Sequence, residues 1–94
     1  MPSIFRILGY NIYFWSNETN EPLHVHICKG EPHENNTKIW INHNGETIVS
    51  YHNVREINNK DLNKVLQAIK SNIQLIQDKW LGHFDHIEYH KDFN

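Results

Sequence analysis

The chain has a single cysteine, Cys28, among 94 residues. No disulfide can form within it, which fits a reducing, cytosolic setting. It has no apolar run approaching the ~18 residues of a membrane span. The start, Met1-Pro2-Ser3-Ile4-Phe5-Arg6, carries neither the long apolar region nor the cleavage site of a secretory signal. A soluble, cytoplasmic protein with no membrane association is therefore expected. Positive charge is also scarce: nine Lys and Arg against eleven Asp and Glu leave a formal charge of −2. The basic residues are scattered, which argues against strong nonspecific binding of nucleic acid. What the chain does have is 38% hydrophobic and 12% aromatic residues, enough to bury the core of one domain. It also has eight histidines, whose protonation near about pH 6.5 would turn the net charge positive in mild acid.

Glu21-Pro22-Leu23-His24-Val25-His26-Ile27-Cys28 concentrates the chemistry. Pro22 cannot donate to a ladder, so a strand is expected just after it, ending at Lys29 before Gly30. Along a strand, side chains alternate between faces. Leu23, Val25 and Ile27 then enter a core, and His24, His26 and Cys28 line the other face about 7 Å apart. The two imidazoles are expected to share an accessible recess.

The remaining segments suggest a small sheet with a helical cover. Ile4 to Leu8 and Tyr10 to Ser16 read as strands, with a tight turn at Gly9 together with Tyr10 or Asn11. Ile12 and Phe14 face one way in the second run, Tyr13 and Trp15 the other. Arg6 is the one charge in the first run. Its stem could cover apolar surface, or its guanidinium could anchor a phosphate or carboxylate. Ser16 to Pro22 is a turn-rich loop, and Glu31 to Asn36 a polar connection. Thr37 to Asn42 and Glu46 to Tyr51 form a hairpin candidate around Asn44-Gly45. Trp15, Trp40 and Tyr51 suit an interface or the core, and at least two are expected in the core.

Ile57, Asn58 and Leu62 have the spacing of a hydrophobic staple with a side-chain cap. From there Leu62, Val65, Leu66, Ile69, Ile73, Ile76 and Trp80 form one apolar stripe over about six turns, with Gly82 as the residue just past the helix end. The fold class is α+β: an antiparallel sheet of about five strands covered on one face by one long, or two short, C-terminal helices. A single domain is expected over 1–84, followed by a histidine-bearing tail at 85–94. From His83 into that tail, His83, His86 and His90 share a face if helical, and form a solvated end if extended.

Ile4-Phe5-Arg6-Ile7 with Gly9-Tyr10, Ser16-Asn17-Glu18, Glu21 to His26, and Asp78-Lys79-Trp80 together resemble the small prokaryotic domain of unknown function 4160 family. The resemblance runs from Met1 to about Phe84 and is most specific in the first thirty residues. It implies a cognate small protein encoded alongside, often a domain of unknown function 2442 protein, in pairs classed as suspected toxin–antitoxin modules. The chain departs from the family pattern in a longer, more polar Lys29 to Thr37 region and in the tail beyond Phe84.

Three uses of the histidine pair follow. A metal-independent ribonuclease needs a base, an acid and a cation for the phosphorane charge, and no cofactor. His24 and His26 would move the protons, Arg6 would contact phosphate, and Lys29 and Tyr13 would bind substrate RNA. A second use is metal binding, with two imidazoles on one ion and further donors from His33, Glu34, His43, His52 or His83. The third is non-catalytic: the histidines hydrogen-bond within the fold, fixing a loop such as Asn17 to Glu21, or shape a surface that meets a protein partner.

Overall fold

Alternation of apolar side chains makes the first half of the chain into strands. In the computed structural model, which describes residues 2–18 and 20–93, β1 spans Ser3–Ile7, β2 Tyr10–Tyr13, β3 His24–Cys28, β4 Thr37–Ile41 and β5 Thr47–Tyr51. Met1 and Asn94, at the ends of the expected domain and tail, and Thr19, inside the predicted loop, lie outside the described residues. The strands pair antiparallel in chain order, β1-β2-β3-β4-β5. The first turn lies at Leu8-Gly9, whose φ angles are 54° and 82°, and not at Tyr10 or Asn11. Those two residues are already paired with Ile7 and Arg6, so a two-residue primed turn closes the hairpin.

Two helices follow, α1 at Asn59–Ser71 and α2 at Ile73–Phe84. As the staple spacing predicts, Asn58 caps α1: its Oδ1 accepts from the Asp61 N–H at 2.7 Å. The stripe is interrupted at Asn72, whose side chain donates to the Ala68 carbonyl at 2.8 Å. An asparagine that competes for a helical carbonyl in this way favours ending the helix. Gly82 lies inside α2 rather than past its end. The packing of Trp80 on Phe84, with ring centroids 4.5 Å apart, favours one more turn, and Asp85 then ends the helix at a left-handed φ of 68°.

The helices cover the face that carries Ile12, Phe14, Val25, Ile27, Ile39 and Ile41, and bury Leu62, Val65, Ile69, Ile76 and Trp80 against it. At about 1.5–3 kcal/mol for each buried aliphatic or aromatic side chain, this layer contact holds both helices in place. Register puts Tyr13 opposite His26, His26 opposite Lys38, and His24 opposite Trp40, so these residues share the second face. Loops and the tail cover that face, joined at His24 by Trp80 of α2, whose ring lies 5.4 Å from the imidazole. From Asp85 to Phe93 the chain is neither helix nor strand. The Leu23 N–H donates to the Glu88 carbonyl at 2.7 Å, and His90 stacks on Trp40 at 4.5 Å. Neither Trp15 nor Trp40 enters the core; both are half-buried, and Tyr51 is exposed. No helix among the described residues is long and apolar enough to cross a membrane.

Candidate functional site

β3 lies in the middle of the sheet and is buried at every position. The alternation holds: Val25 and Ile27 join the helix-side core, and His24, His26 and Cys28 face the other way. The two imidazoles meet edge to face with centroids 5.1 Å apart. They are shared but not equally accessible. His24 is fully buried, with Trp40 and Trp80 each 5.4 Å from its ring. The His26 side chain keeps 10% of its surface exposed. The expected open recess is therefore closed over His24, and no pocket forms there among the described residues.

The lid is the loop before β3, which folds back over the strand and brings Glu18 down between the two rings. Glu18 Oε2 lies 2.9 Å from His24 Nε2 and 3.1 Å from His26 Nε2, and Oε1 is 3.2 Å from His26 Nε2. Oε1 also accepts the Trp15 N–H at 2.8 Å. Burial on its own would push the Glu18 carboxyl up. The contacts with His24 and His26, helped by the Trp15 N–H, outweigh burial and hold it well below the usual carboxylate range. A second carboxylate ties down the same loop: Glu21 pairs with Lys38 at 2.6 Å, and the Lys38 ammonium sits 4.3 Å over the Trp40 ring.

His24 has a defined tautomer. Its Nδ1 lies 2.8 Å from the Pro22 carbonyl oxygen, which can only accept, so Nδ1 carries a proton. Nε2 is buried and has no hydrogen-bond partner among the described residues. The Glu18 oxygen beside it is close, at 2.9 Å, but is not aligned to receive an N–H from the ring.

The other residues named for chemistry are distributed around this cluster. Tyr13 does neighbour it, with its ring 5.3 Å from His26. Its hydroxyl is committed to Asn36, and burial, followed by the negative charge of Glu18 and Glu56 and a Cys28 thiolate, pushes the phenol well above its ordinary range. Arg6 is exposed on β1, in the row of Asn11 and Cys28, two strand positions along from His26. Lys29 is exposed and lies 5.6 Å over the ring of Tyr10, a helix-side core residue. Cys28 is fully buried, and burial leads the causes that raise its thiol pKa. His33 pairs with Glu56 at 3.0 Å, and His52 Nε2 donates to the Ile57 carbonyl at 2.7 Å. His83 packs on Phe14 and Phe84. None of these further donors joins the pair. The carboxylate that does join it is Glu18. Its sequence signals are the Ser16-Asn17-Glu18 segment of the family resemblance and a turn-rich loop that the histidines could fix, and neither gives the carboxylate a role.

A family model described as a domain of unknown function (DUF4160) matches residues 9–81. That span contains Glu18, His24, His26 and Trp80, and leaves out Arg6 and the tail histidines His86 and His90. No curated protein and no solved structure matches the chain.

Proposed function

The chain belongs to the domain of unknown function 4160 family, and on that premise we propose that it is the toxin-like component of a small bacterial two-protein module of the toxin–antitoxin type. It acts in the cytoplasm by gripping a protein partner, the small protein encoded alongside it, and not by metal-independent cleavage of RNA. One observation carries the choice between these activities. A general acid or base must reach the proton that it moves, whereas His24 is fully buried and its Nδ1 is given to the Pro22 carbonyl. The cations suggested for such chemistry are spread out, Arg6 on β1 and Lys29 over Tyr10. The net charge of −2 also weakens any hold on RNA.

A gripping role is supported by what surrounds the histidines. Half-buried Trp15 and Trp40 and exposed Tyr51 stand on or beside the loop-covered face, with Trp40 flanked by Lys38 and by His90 of the tail. Aromatic anchors within a polar rim are the residue types that carry binding energy at protein interfaces. Co-purification of the chain with its encoded neighbour tests this. A stable complex is expected, weakened at least tenfold, about 1.4 kcal/mol, by Trp15→Ala or Tyr51→Ala, while Lys64→Ala on the outer side of α1 leaves it intact. RNA cleavage by the purified chain in excess chelator, abolished by substitution of His26, would instead establish the ribonuclease.

A further inference from the structure

We propose that Glu18, His24 and His26 form a binding site for one divalent transition-metal ion of the zinc class, with both imidazole Nε2 atoms and one Glu18 carboxylate oxygen as ligands. This stands independently of the partner-binding role. One ligand atom from each residue can be chosen so that all lie within 4.8 Å of one another, and the contacts onto the carboxylate are 2.9–3.2 Å. Ligands about 2.0–2.1 Å from a tetrahedral zinc ion stand roughly 3.3 Å apart, so the histidine–carboxylate contacts need only a few tenths of an ångström of opening, and the two imidazole nitrogens, within 4.8 Å of each other, converge on the ion.

The stronger argument is the orphaned nitrogen of His24. The proton on Nδ1 is held by the Pro22 carbonyl at 2.8 Å, which leaves Nε2 as the ring nitrogen able to take a metal. Among the described residues that nitrogen is buried and unpartnered, and a Glu18 carboxylate oxygen lies 2.9 Å from it. The Nε2 axis passes beside that oxygen and not through it, as it does where two ligands converge on one ion. The supporting groups are those that metal sites use: a backbone carbonyl on the far nitrogen of one histidine, and the Trp15 N–H orienting the carboxylate at 2.8 Å.

The donor set selects the ion. Two imidazoles with one carboxylate suit zinc-class ions, whereas calcium and magnesium prefer oxygen donors alone. Three protein ligands leave a fourth position for water or for a group from elsewhere, on the side where Glu18 and His26 are partly exposed. Bound there, the ion fastens the loop carrying Glu18 and Glu21 onto the sheet, next to Trp15 and Trp40.

The test uses the full chain without an affinity tag, stripped with chelator and then given Zn2+. Zinc retained after gel filtration is expected at one equivalent, with Glu18→Gln and His26→Gln each weakening zinc binding by at least ~100-fold in calorimetry, more than the ~10–100-fold typical of losing a supporting group. The His86→Gln/His90→Gln variant should keep full affinity. Retention below ~0.2 equivalents by the unaltered chain overturns the proposal, as does wild-type affinity in both Glu18→Gln and His26→Gln. Far-UV circular dichroism checks that each variant is folded. Cobalt(II) added to the unaltered chain decides the matter without any variant: an intense visible band of low-coordinate cobalt supports the site, and the weak band of the hydrated ion overturns it.

Discussion

Tyr10 and Glu18 make opposite use of burial. Each is a polar side chain taken from water, and the partner decides the outcome. The Tyr10 hydroxyl donates to Asp61 Oδ2 at 2.9 Å, joining β2 to the first turn of α1. Burial first, and then the hydrogen bond and negative charge of Asp61, raise its phenol above 10.0. The raised value means that folding favours the protonated phenol. Its contribution is complete below the unfolded pKa of about 10 and is lost as pH rises through the higher folded value. Denaturation measured from pH 8 to 11 should show stability falling at the alkaline end, and Tyr10→Phe should flatten that fall while costing about 1.5–3 kcal/mol at pH 8 for the lost hydrogen bond to a charged acceptor. An unchanged alkaline limb in Tyr10→Phe would exclude this cause. At the same scale the sequence disclosed only part of the site. His24 and His26 are legible because strand alternation is a local rule that needs no knowledge of the rest of the chain. Glu18 is not, because its place depends on how a turn-rich loop folds back over β3. The prediction that the histidines fix a loop within Asn17 to Glu21 anticipates that contact, although it does not single out the carboxylate.

The elements were legible where their signals are short-range. Asn58 caps α1, the Asn44-Gly45 dipeptide turns β4 into β5, and five strands precede the helices, all as periodicity and turn chemistry indicate. Their ends were less so. The β1–β2 turn engages Leu8 at a positive φ of 54°, a strained choice for a bulky residue that composition does not announce. The interruption at Asn72 and the last turn of α2 rest on side-chain competition and on aromatic packing, which an apolar stripe cannot reveal. Gly45 illustrates how an element and its packing meet. Its φ is 87°, and a Cβ there would stand 3.0 Å from both Cα and Cγ of Lys70 in α1. Gly45→Ala therefore adds a steric conflict with the helix backbone to the strain of a positive φ. It should cost more than the ~1 kcal/mol or so of left-handed strain alone, read as a fall in the midpoint of urea unfolding. Gly9→Ala serves as the comparison, since a Cβ at Gly9 (φ 82°) meets nothing within 4 Å. Equal losses in the two variants would show that the β4–β5 turn does not press on α1.

Across the whole molecule, the two faces of the sheet are covered by different means. One carries the helices and a continuous apolar core. The other is closed by loops, by the tail through Glu88 and His90, and by the Glu18 and Glu21 contacts. Those closures join residues far apart in sequence, so neither periodicity nor composition foretells them, and the tail histidines are separated by docking instead of gathered on a helix. A metal ion on Glu18, His24 and His26 would add to the stability of this second layer. With free zinc at about 100 times its dissociation constant, linkage adds about 2.7 kcal/mol, which in a domain of this size raises the melting temperature by roughly 10–20 °C. Excess chelator should reverse the shift, and a chain whose melting temperature ignores both zinc and chelator would deny the ion any structural part. The most direct measurement is of the His24 ring itself: long-range proton–nitrogen correlation spectra of the 15N-labelled chain, recorded before and after zinc. The account predicts that His24 is protonated at Nδ1 and bare at Nε2 without metal, and that the Nε2 signals of His24 and His26 move together on adding one equivalent. A His24 ring carrying a proton on Nε2, with a signal that zinc does not move, would contradict it.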